Sequence, residues 1–145
     1  MEEIILPTAI NTFIFQIEIK EKKRIISINT DDIIWLEADA NYVKIHTKTA
    51  VYIKKTSLKE LELQLDPEVF IRIHRSAIIS FKSIDVMFPY FKEEYIIVLK
   101  NEKTLRLSRG YTDKLELIQK KIKQKRGCLK SEIVFFMFYN GLLIN

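Results

Sequence analysis

Apolar and polar residues alternate in short segments along most of this chain. Phe13, Phe15, Ile17 and Ile19 occupy every second position, and this period is typical of a strand with one buried face. The charged residues 21–24 interrupt the alternation as a turn. Similar patterns predict strands from residue 25 and over 33–38, 42–47, 51–56, 69–73, 77–79, 84–88, 95–99 and 104–108. The close turn signals between them indicate an antiparallel β domain.

One short helix is predicted within this β pattern. Ser57 and Glu60 have the spacing of a capping box, in which each side chain satisfies a free N–H group at a helix start. Pro67 ends the segment because it cannot continue a helix. A helix over residues 58–65 would place its leucines on one face: Leu58, Leu61 and Leu65.

A second helix is predicted near the end of the domain. Thr112 is a suitable N-cap residue, and Leu115, Ile118 and Ile122 follow at helical spacing. Six basic residues lie on this helix or beside it: Lys114, Lys120, Lys121, Lys123, Lys125 and Arg126. The expected core of the whole domain includes Trp35, Leu36, Leu58, Leu61 and Phe70.

Composition favours one cytoplasmic domain. The chain has 145 residues, 48% of them hydrophobic and 30% charged, which allows one domain with a core. Cys128 is the only cysteine, so a disulfide framework or a thiolate metal cage within one chain is excluded. The first residues are acidic rather than basic, and no apolar run reaches the roughly 18–20 residues that span a bilayer.

The net charge of +5 is concentrated in the last third of the chain. Residues 1–99 carry a balance of −2, whereas residues 100–145 carry +7. A basic segment on a nearly neutral body indicates a partner that is a polyanion. A solvated lysine-rich helix would produce the same charge pattern, so charge alone leaves both interpretations open.

The last apolar run, residues 133–144 (IVFFMFYNGLLI), differs from the rest of the chain. Its twelve residues are too few to span a membrane. The run could form an additional strand, bind a partner as a strand, or lie in a membrane interface. It could also be foreign to the ancestral domain.

Residues that carry catalysis are scarce. His46 and His74 are 28 residues apart, without the spacing or neighbouring ligands of a metal site. Three glycines cannot build a phosphate-binding loop, and Asp31 and Asp32 suit a turn between strands. Glu37 and Asp39 would share a strand face, but nothing in the sequence indicates a pocket around them. We therefore expect no enzyme activity, no cofactor, no metal site and no small-molecule substrate.

Four segments together resemble a known family. They are residues 32–45 (DIIWLEADANYVKI), the helix start Ser57-Leu58, residues 70–79 (FIRIHRSAII) and residues 105–115 (LRLSRGYTDKL). In this order and spacing, the chain resembles the LytTR family of bacterial DNA-binding domains over about residues 20–123. The resemblance implies an elongated, mostly antiparallel β fold of about ten strands in small sheets with short helices.

The resemblance also implies a function and a domain organisation. LytTR domains bind double-stranded DNA, often at paired direct repeats, through loops that enter successive major grooves. They are usually the output half of a response regulator and act in transcription. We expect an N-terminal extension with the first strand (1–19), the DNA-binding domain (20–123), and a basic linker with an apolar tail (124–145). Only about 20 residues precede the domain, so a receiver domain is not expected.

Three residues are candidates for reading bases. Arg75 and Arg109 lie in the matching motifs, and a guanidinium can donate two parallel hydrogen bonds to guanine. Asn41 could pair with adenine in a similar way or could serve only as a turn residue. His74 is expected to be structural and to fix the loop that presents Arg75.

Contacts to the DNA backbone are assigned to a second group of residues. We expect Tyr42 to pack half-buried in a strand with its hydroxyl available to a phosphate. The remaining candidates are basic or hydroxyl side chains: Lys44, Lys54, Lys55, Ser76 and Lys82.

Three departures from the family pattern bear on base preference. Ala40 stands where the family often has glycine, and the change is expected to stiffen the first loop. Ser80 replaces a common asparagine. Gly110 replaces a frequent basic or polar residue and so removes a phosphate contact beside Arg109.

Two other classes of function are compatible with parts of the sequence. In a protein- or membrane-interaction module, the basic helix and the apolar tail would dock a partner, and deletion of residues 128–145 would abolish the main activity. Single-stranded RNA binding uses aromatic side chains on an exposed sheet face, whereas most aromatics here alternate into the core. Duplex DNA binding, with a second copy on the same DNA, is the leading hypothesis.

Overall fold

The structure, a computed structural model, describes residues 12–126. These residues form ten strands in three antiparallel sheets, and the prediction of a mainly β fold with short helices is confirmed. The strands are β1 (Gln16–Lys20), β2 (Ile25–Asn29), β3 (Ile33–Asp39), β4 (Tyr42–Thr47), β5 (Val51–Lys54), β6 (Phe70–His74), β7 (Ala77–Ser80), β8 (Ile84–Pro89), β9 (Tyr95–Leu99) and β10 (Thr104–Leu107). The sheets have the orders β1-β2, β5-β4-β3-β7-β6 and β10-β9-β8.

The five-stranded sheet lies at the centre, with a core on each face. All four residues of β7 are buried, and alternate side chains enter different cores because successive side chains point to opposite faces. Ile78 packs in the first core with Ile17 and Ile28 of the small sheet. Ile79 packs in the second core with Ile97 of the three-stranded sheet.

Helix α1 (Leu58–Gln64) covers the first core. The Ser57 hydroxyl oxygen accepts a hydrogen bond from the Glu60 backbone N–H at 3.1 Å, as the capping-box spacing predicts. The Ser57 hydroxyl is also within 3.4 Å of the Glu60 carboxylate. Leu58, Leu61 and Leu65 are all buried, which confirms the predicted apolar face.

Helix α2 (Leu115–Arg126) begins later than the predicted cap. A 3₁₀ turn over Arg109–Lys114 precedes it. The prediction that Thr112 caps the helix is wrong, because the Thr112 hydroxyl donates to the Arg109 carbonyl at 3.0 Å inside this turn. Ile118 is fully buried in the second core.

The strand pattern near the N-terminus extends less far than the alternation suggests. β1 begins at Gln16, whose register partner Asn29 is the last residue of β2. Ile17 and Ile19 are buried, but Phe15 is 80% exposed. The Thr30 N–H still donates to the Phe15 carbonyl at 2.8 Å, but the strand begins after Phe15, so the alternation at Phe13 and Phe15 does not continue β1.

The remaining sequence predictions fall into two groups. The five expected core residues, Trp35, Leu36, Leu58, Leu61 and Phe70, are all buried. Predictions about residues 1–11 and 127–145, including the apolar run 133–144, lie outside the described residues. Within residues 12–126, no helix has the length and apolarity needed to cross a membrane.

Candidate nucleic-acid interface

A two-residue turn places Asn41 at one end of the central sheet. Asp39 and Tyr42 pair across the turn, so Ala40 and Asn41 form its tip. Ala40 has a φ of 57°, a backbone region that favours glycine over residues with a Cβ atom. Tyr42 begins β4 and is 46% exposed, so its side chain is about half-buried, as expected.

The turn between β6 and β7 presents Arg75 at the same end of the sheet. The Ser76 backbone N–H donates to His74 Nδ1 at 3.1 Å, and the Ser76 hydroxyl lies 2.8 Å from the same nitrogen. The His74 ring thus contacts both the backbone N–H and the hydroxyl of Ser76, which fixes the side chain against the turn. The expected structural role of His74 is confirmed by these contacts.

Arg72 holds this turn from inside the fold, and the sequence reasoning did not single it out. Its Nε donates to the His74 carbonyl at 2.9 Å and its Nη2 to the Arg75 carbonyl at 2.6 Å. Its Nη1 donates to Glu62 of α1 at 2.9 Å. The Arg72 side chain is 13% exposed. The available signal in the sequence was a charged residue between two isoleucines, Ile71 and Ile73, within a predicted strand. A charge that becomes mostly buried in such a segment needs partners.

Arg109 is tied to the same region through the backbone. The Ser108 N–H donates to the Ile73 carbonyl at 3.0 Å, and the Tyr111 N–H donates to the Ser108 carbonyl at 2.8 Å. Ile73 precedes Arg75 by two residues, so this bond brings the start of the 3₁₀ turn beside the β6–β7 turn. A Cβ atom added to Gly110 would meet nothing within 4 Å, so this neighbouring position is open.

The three candidate base readers therefore share one edge of the molecule. The Ala38 N–H donates to the Ser76 carbonyl at 3.0 Å, which joins the end of β3 to the β6–β7 turn. Asn41 lies just beyond this point and Arg109 is held on the other side of β6. Among residues 12–126, the side chains of Arg75 and Arg109 make no hydrogen bond or ion pair. We call the turns 40–41, 74–76 and 108–110 the loop edge.

The candidate backbone contacts are distributed less evenly. Lys54 pairs with Val43 at the end of β5, so the next residue, Lys55, lies at the loop edge beside Tyr42. The Lys54 ammonium donates to the Glu18 carbonyl at 2.6 Å. The Lys44 ammonium is 3.6 Å from Asp39. Both lysines are thus engaged by the fold itself.

Lys82 is not brought together with the others. It lies in a 3₁₀ turn, Phe81–Ser83, that follows the far end of β7. Its ammonium is 3.3 Å from Asp31, and this exposed pair contributes little to stability. β7 runs from Ala77 at the loop edge to Ser80, so Lys82 and Arg75 lie at opposite ends of one strand.

The second histidine has a structural environment as well. The His46 imidazole stacks on Trp35 with ring centroids 4.3 Å apart, and its Nε2 is 2.9 Å from Glu37. Within the described residues, no group of three His, Cys, Asp or Glu side chains could hold a metal ion. The chemistry available at the loop edge is hydrogen bonding by exposed guanidinium, amide and hydroxyl groups.

Comparison with known proteins identifies a family over most of the described residues. The sequence model of one protein family, the LytTr DNA-binding domain, matches residues 23–119 of this chain. A solved LytTr DNA-binding domain of a putative methyl-accepting/DNA response regulator from Bacillus cereus aligns with a TM-score of 0.66 and 22% identity, over 72% of this chain and 96% of that one. At this identity, the likeness concerns the fold.

Curated proteins that regulate transcription or transduce signals are similar to parts of this chain. The heme-containing CO-sensing transcriptional regulator RcoM 2 of Paraburkholderia xenovorans is 42% identical over 67 residues, which are 46% of this chain and 25% of that protein. The transcriptional regulatory protein LytR of Staphylococcus aureus is 32% identical over 95 residues, 66% of this chain and 38% of that protein. The sensory transduction protein LytT of Bacillus subtilis is 28% identical over 92 residues, 63% and 38% respectively. The chain thus covers between a quarter and two fifths of these relatives.

Proposed function

Because this chain belongs to the LytTR family of DNA-binding domains, we propose that it binds double-stranded DNA in a sequence-specific manner and regulates bacterial transcription. The loop edge inserts into successive major grooves. Asn41, Arg75 and Arg109 contact bases, and their site is expected to be a pair of direct repeats. The proposal includes a cytoplasmic location, since that compartment holds the bacterial chromosome.

The observation that carries this proposal is the pair of arginines at the loop edge. Both turns are held by bonds to their own backbone, which leaves the Arg75 and Arg109 guanidinium groups without a partner among residues 12–126. An ordered turn with an unengaged fork of donors suits bidentate recognition of guanine O6 and N7. Its order before binding also limits the entropy lost when DNA binds.

The backbone contacts are proposed for residues whose side chains reach the same edge. Tyr42, Lys55 and Ser76 lie there, and Lys44 and Lys54 follow along β4 and β5. Lys82 was also a candidate, but its place at the far end of β7 supports a role outside this surface. The proposed interface therefore omits it.

The alternative of a protein- or membrane-interaction module depends mainly on residues outside the described part. Two contacts of Lys121 concern the basic helix, α2, that this alternative requires. The Lys121 ammonium is 3.0 Å from Glu68 and lies over the Phe81 ring at 5.5 Å. This lysine is therefore used in packing α2 onto the domain, which favours the DNA-binding proposal.

Selection from a pool of random duplexes, followed by sequencing, tests the proposal. We expect enrichment of a motif and a binding constant that falls with salt by about 0.9 log units per log unit for each phosphate neutralised. Arg75→Ala should weaken binding by about 1–3 kcal/mol and relax preference at one position. Arg24→Ala removes the same charge from the exposed β1–β2 turn and is the matched control. Equal losses in the two variants, or a pool that stays unenriched, would contradict base reading by Arg75.

A further inference from the structure

One face of the three-stranded sheet is apolar and points away from the second core. Met87 of β8 and Ile97 of β9 pack in that core. Because successive side chains of a strand point to opposite faces, their neighbours Val86, Ile96 and Val98 point to the other side of the sheet. All three side chains are only partly buried. We call the surface that these three residues form the outer face.

The strand register makes the outer face continuous. Val86 pairs with Val98, and Ile96 pairs with Phe88, which lies on the same side of β8. Opposite residues of an antiparallel pair have Cβ atoms about 4.5–5.5 Å apart, so these side chains form one apolar strip across β8 and β9. On β10, Arg106 pairs with Ile96 and borders the strip. A contiguous apolar surface of this kind is characteristic of a contact site.

Helix α2 brings the chain to the start of β8. The helix follows the 3₁₀ turn at the loop edge, and further along it the Lys121 ammonium lies over the Phe81 ring at 5.5 Å. Phe81 follows β7 at its far end and precedes Ile84, the first residue of β8, by three positions. α2 also contacts β8 itself, the last strand in the order β10-β9-β8. The chain therefore leaves α2 next to the strand that carries Val86.

The length of chain beyond α2 suffices to reach the outer face. Nineteen residues follow Arg126, the last residue of α2. Residues 127–132 span at most about 20 Å when extended, whereas packed layers lie about 10 Å apart. The twelve residues that follow, 133–144 (IVFFMFYNGLLI), contain no charged side chain. Exposure of such a run to water is unfavourable, and the outer face offers it an apolar surface within reach.

Two other exposed apolar regions lie farther from α2. The Lys121 ammonium is 3.0 Å from Glu68, which precedes β6, so α2 lies on the β6 side of the central sheet. Val51 and Ile53 are on β5, at the opposite edge of this sheet, and four strand spacings of about 4.8 Å separate the two edges. Ile25 belongs to the small sheet, which packs on the first core, whereas α2 packs in the second core. The outer face is nearer to the end of α2 than either region.

From the reach of the chain and the apolar character of both surfaces, we infer that residues 133–144 cover the outer face of their own domain. The contact removes the side chains of Val86, Ile96 and Val98 from water and so stabilises the three-stranded sheet. It goes beyond the proposed function, because the outer face is separate from the loop edge and the contact forms without DNA. The experiments below distinguish this occupant from a second copy of the chain and from a membrane interface.

Cross-linking in the full chain tests where the apolar run binds. With Cys128→Ser removing the native thiol, Val98→Cys and Phe136→Cys place one thiol on the outer face and one in the run. We expect a short bismaleimide to link the two thiols within one chain. The yield should be about tenfold higher than for Ile53→Cys with Phe136→Cys, the matched control, because the contact raises the effective concentration of the first pair. Equal yields in the two pairs, or links only between two chains, would overturn the inference.

Unfolding in urea tests whether the contact contributes to stability. Ile96→Ser and Phe136→Ser should each lower the urea midpoint of the full chain. The double variant should lower it by less than the sum, because both changes break one contact. Ile53→Ser is the control, and its effect should add to that of Phe136→Ser. Additive effects of Ile96→Ser and Phe136→Ser would contradict the contact, and Val98→Thr replaces Ile96→Ser in the comparison if the latter chain does not fold.

Flotation with vesicles that contain phosphatidylglycerol separates the membrane alternative. We expect the wild-type chain and Phe136→Ser to float equally little, since the run is already covered. Flotation of the wild type that is lost in Phe136→Ser, together with an unchanged urea midpoint, would assign the run to a membrane interface and overturn the inference. DNA affinity should be the same in Phe136→Ser and the wild type, so the contact and the proposed function are tested independently.

Discussion

The two ends of β7 use their polar groups in different ways. At the loop edge, His74 and Arg72 hold the β6–β7 turn through bonds to its backbone and to Ser76. At the far end, Ser80 and Phe81 are buried, and the Phe81 N–H donates to the Val69 carbonyl at 2.8 Å. Lys82 there lies 3.3 Å from Asp31.

The two ends of β7 therefore have different roles: the far end connects two sheets, and the loop edge exposes Arg75. The far end leads the chain from the central sheet into the three-stranded sheet, so its groups are used in packing the two sheets together. The loop edge is ordered from within, and the side chain of Arg75 remains available. A rigid turn with an unengaged cation is suited to binding, whereas a cation already paired has less to gain from a phosphate.

Removal of the Arg72 guanidinium should have the largest effect on the order of the loop edge, and so on stability and DNA affinity. Arg72→Met keeps the apolar stem but removes the bonds to the His74 and Arg75 carbonyls and to Glu62. We expect a loss of about 2 kcal/mol in the free energy of unfolding and a DNA affinity reduced at least as much as in Arg75→Ala. Urea denaturation and duplex titration measure the two quantities. Arg72→Lys retains the charge without the planar fork and should be intermediate; full affinity in Arg72→Met would show that the turn is ordered by other groups.

Relief of strain at Ala40 should have the next largest effect. Ala40 and Glu102 both have positive φ, 57° and 70°, but only Ala40 lies at the loop edge. Ala40→Gly and Glu102→Gly should each stabilise the fold by up to about 1 kcal/mol, since the strain relieved exceeds the entropy that glycine adds to the unfolded chain. Thermal unfolding checks this. Only Ala40→Gly should alter DNA affinity, and an equal effect of Glu102→Gly would contradict the assignment of the loop edge.

A matched pair of lysines compares the two regions directly. Lys55→Ala, at the loop edge, should weaken binding to all duplexes and reduce the salt slope by about 0.9. Lys82→Ala, at the far end of β7, should change neither quantity. Titrations at several salt concentrations distinguish these outcomes, and a reduced slope in Lys82→Ala would extend the interface to the far end.

The smallest expected change is a gain of contact. Gly110 has open space around its Cβ position, so Gly110→Lys should fold normally and increase the salt slope by at most about 0.9. Base preference should stay unchanged, because phosphate contacts carry no direct sequence information. Gly110→Gln is the uncharged control, and an unchanged slope in Gly110→Lys would place residue 110 away from the DNA backbone.

Local patterns were sufficient for the elements of this fold. The period of two in residues 95–99 and the capping box at Ser57 each depend on neighbours within a few positions, so both could be predicted. The prediction failed where the outcome depends on what lies next to an element. Phe15 continues the apolar alternation of β1 toward the N-terminus, but it lies before the first residue of the strand and its side chain is exposed.

The candidate site shows the same division. The motifs around Asn41, Arg75 and Arg109 were visible in the sequence, and so was a role for His74. The role of Arg72 was not, because its partners belong to a turn and to Glu62 on another element. The position of Lys82 was not visible in the sequence either. Lys82 is close to Arg75 along the chain, but this proximity does not indicate which end of β7 Lys82 occupies.

By itself, the sequence determined the strand and helix segments, most of the core and the family. Only the tertiary structure decided which turns meet at one edge and which end of β7 each candidate residue occupies. The physical reason is that side-chain periodicity is set by local backbone geometry, whereas the edge depends on pairing between β3 and β7, which are about forty residues apart in the chain. Such long-range pairing is selected by the burial of both sheet faces together, and no single segment encodes it.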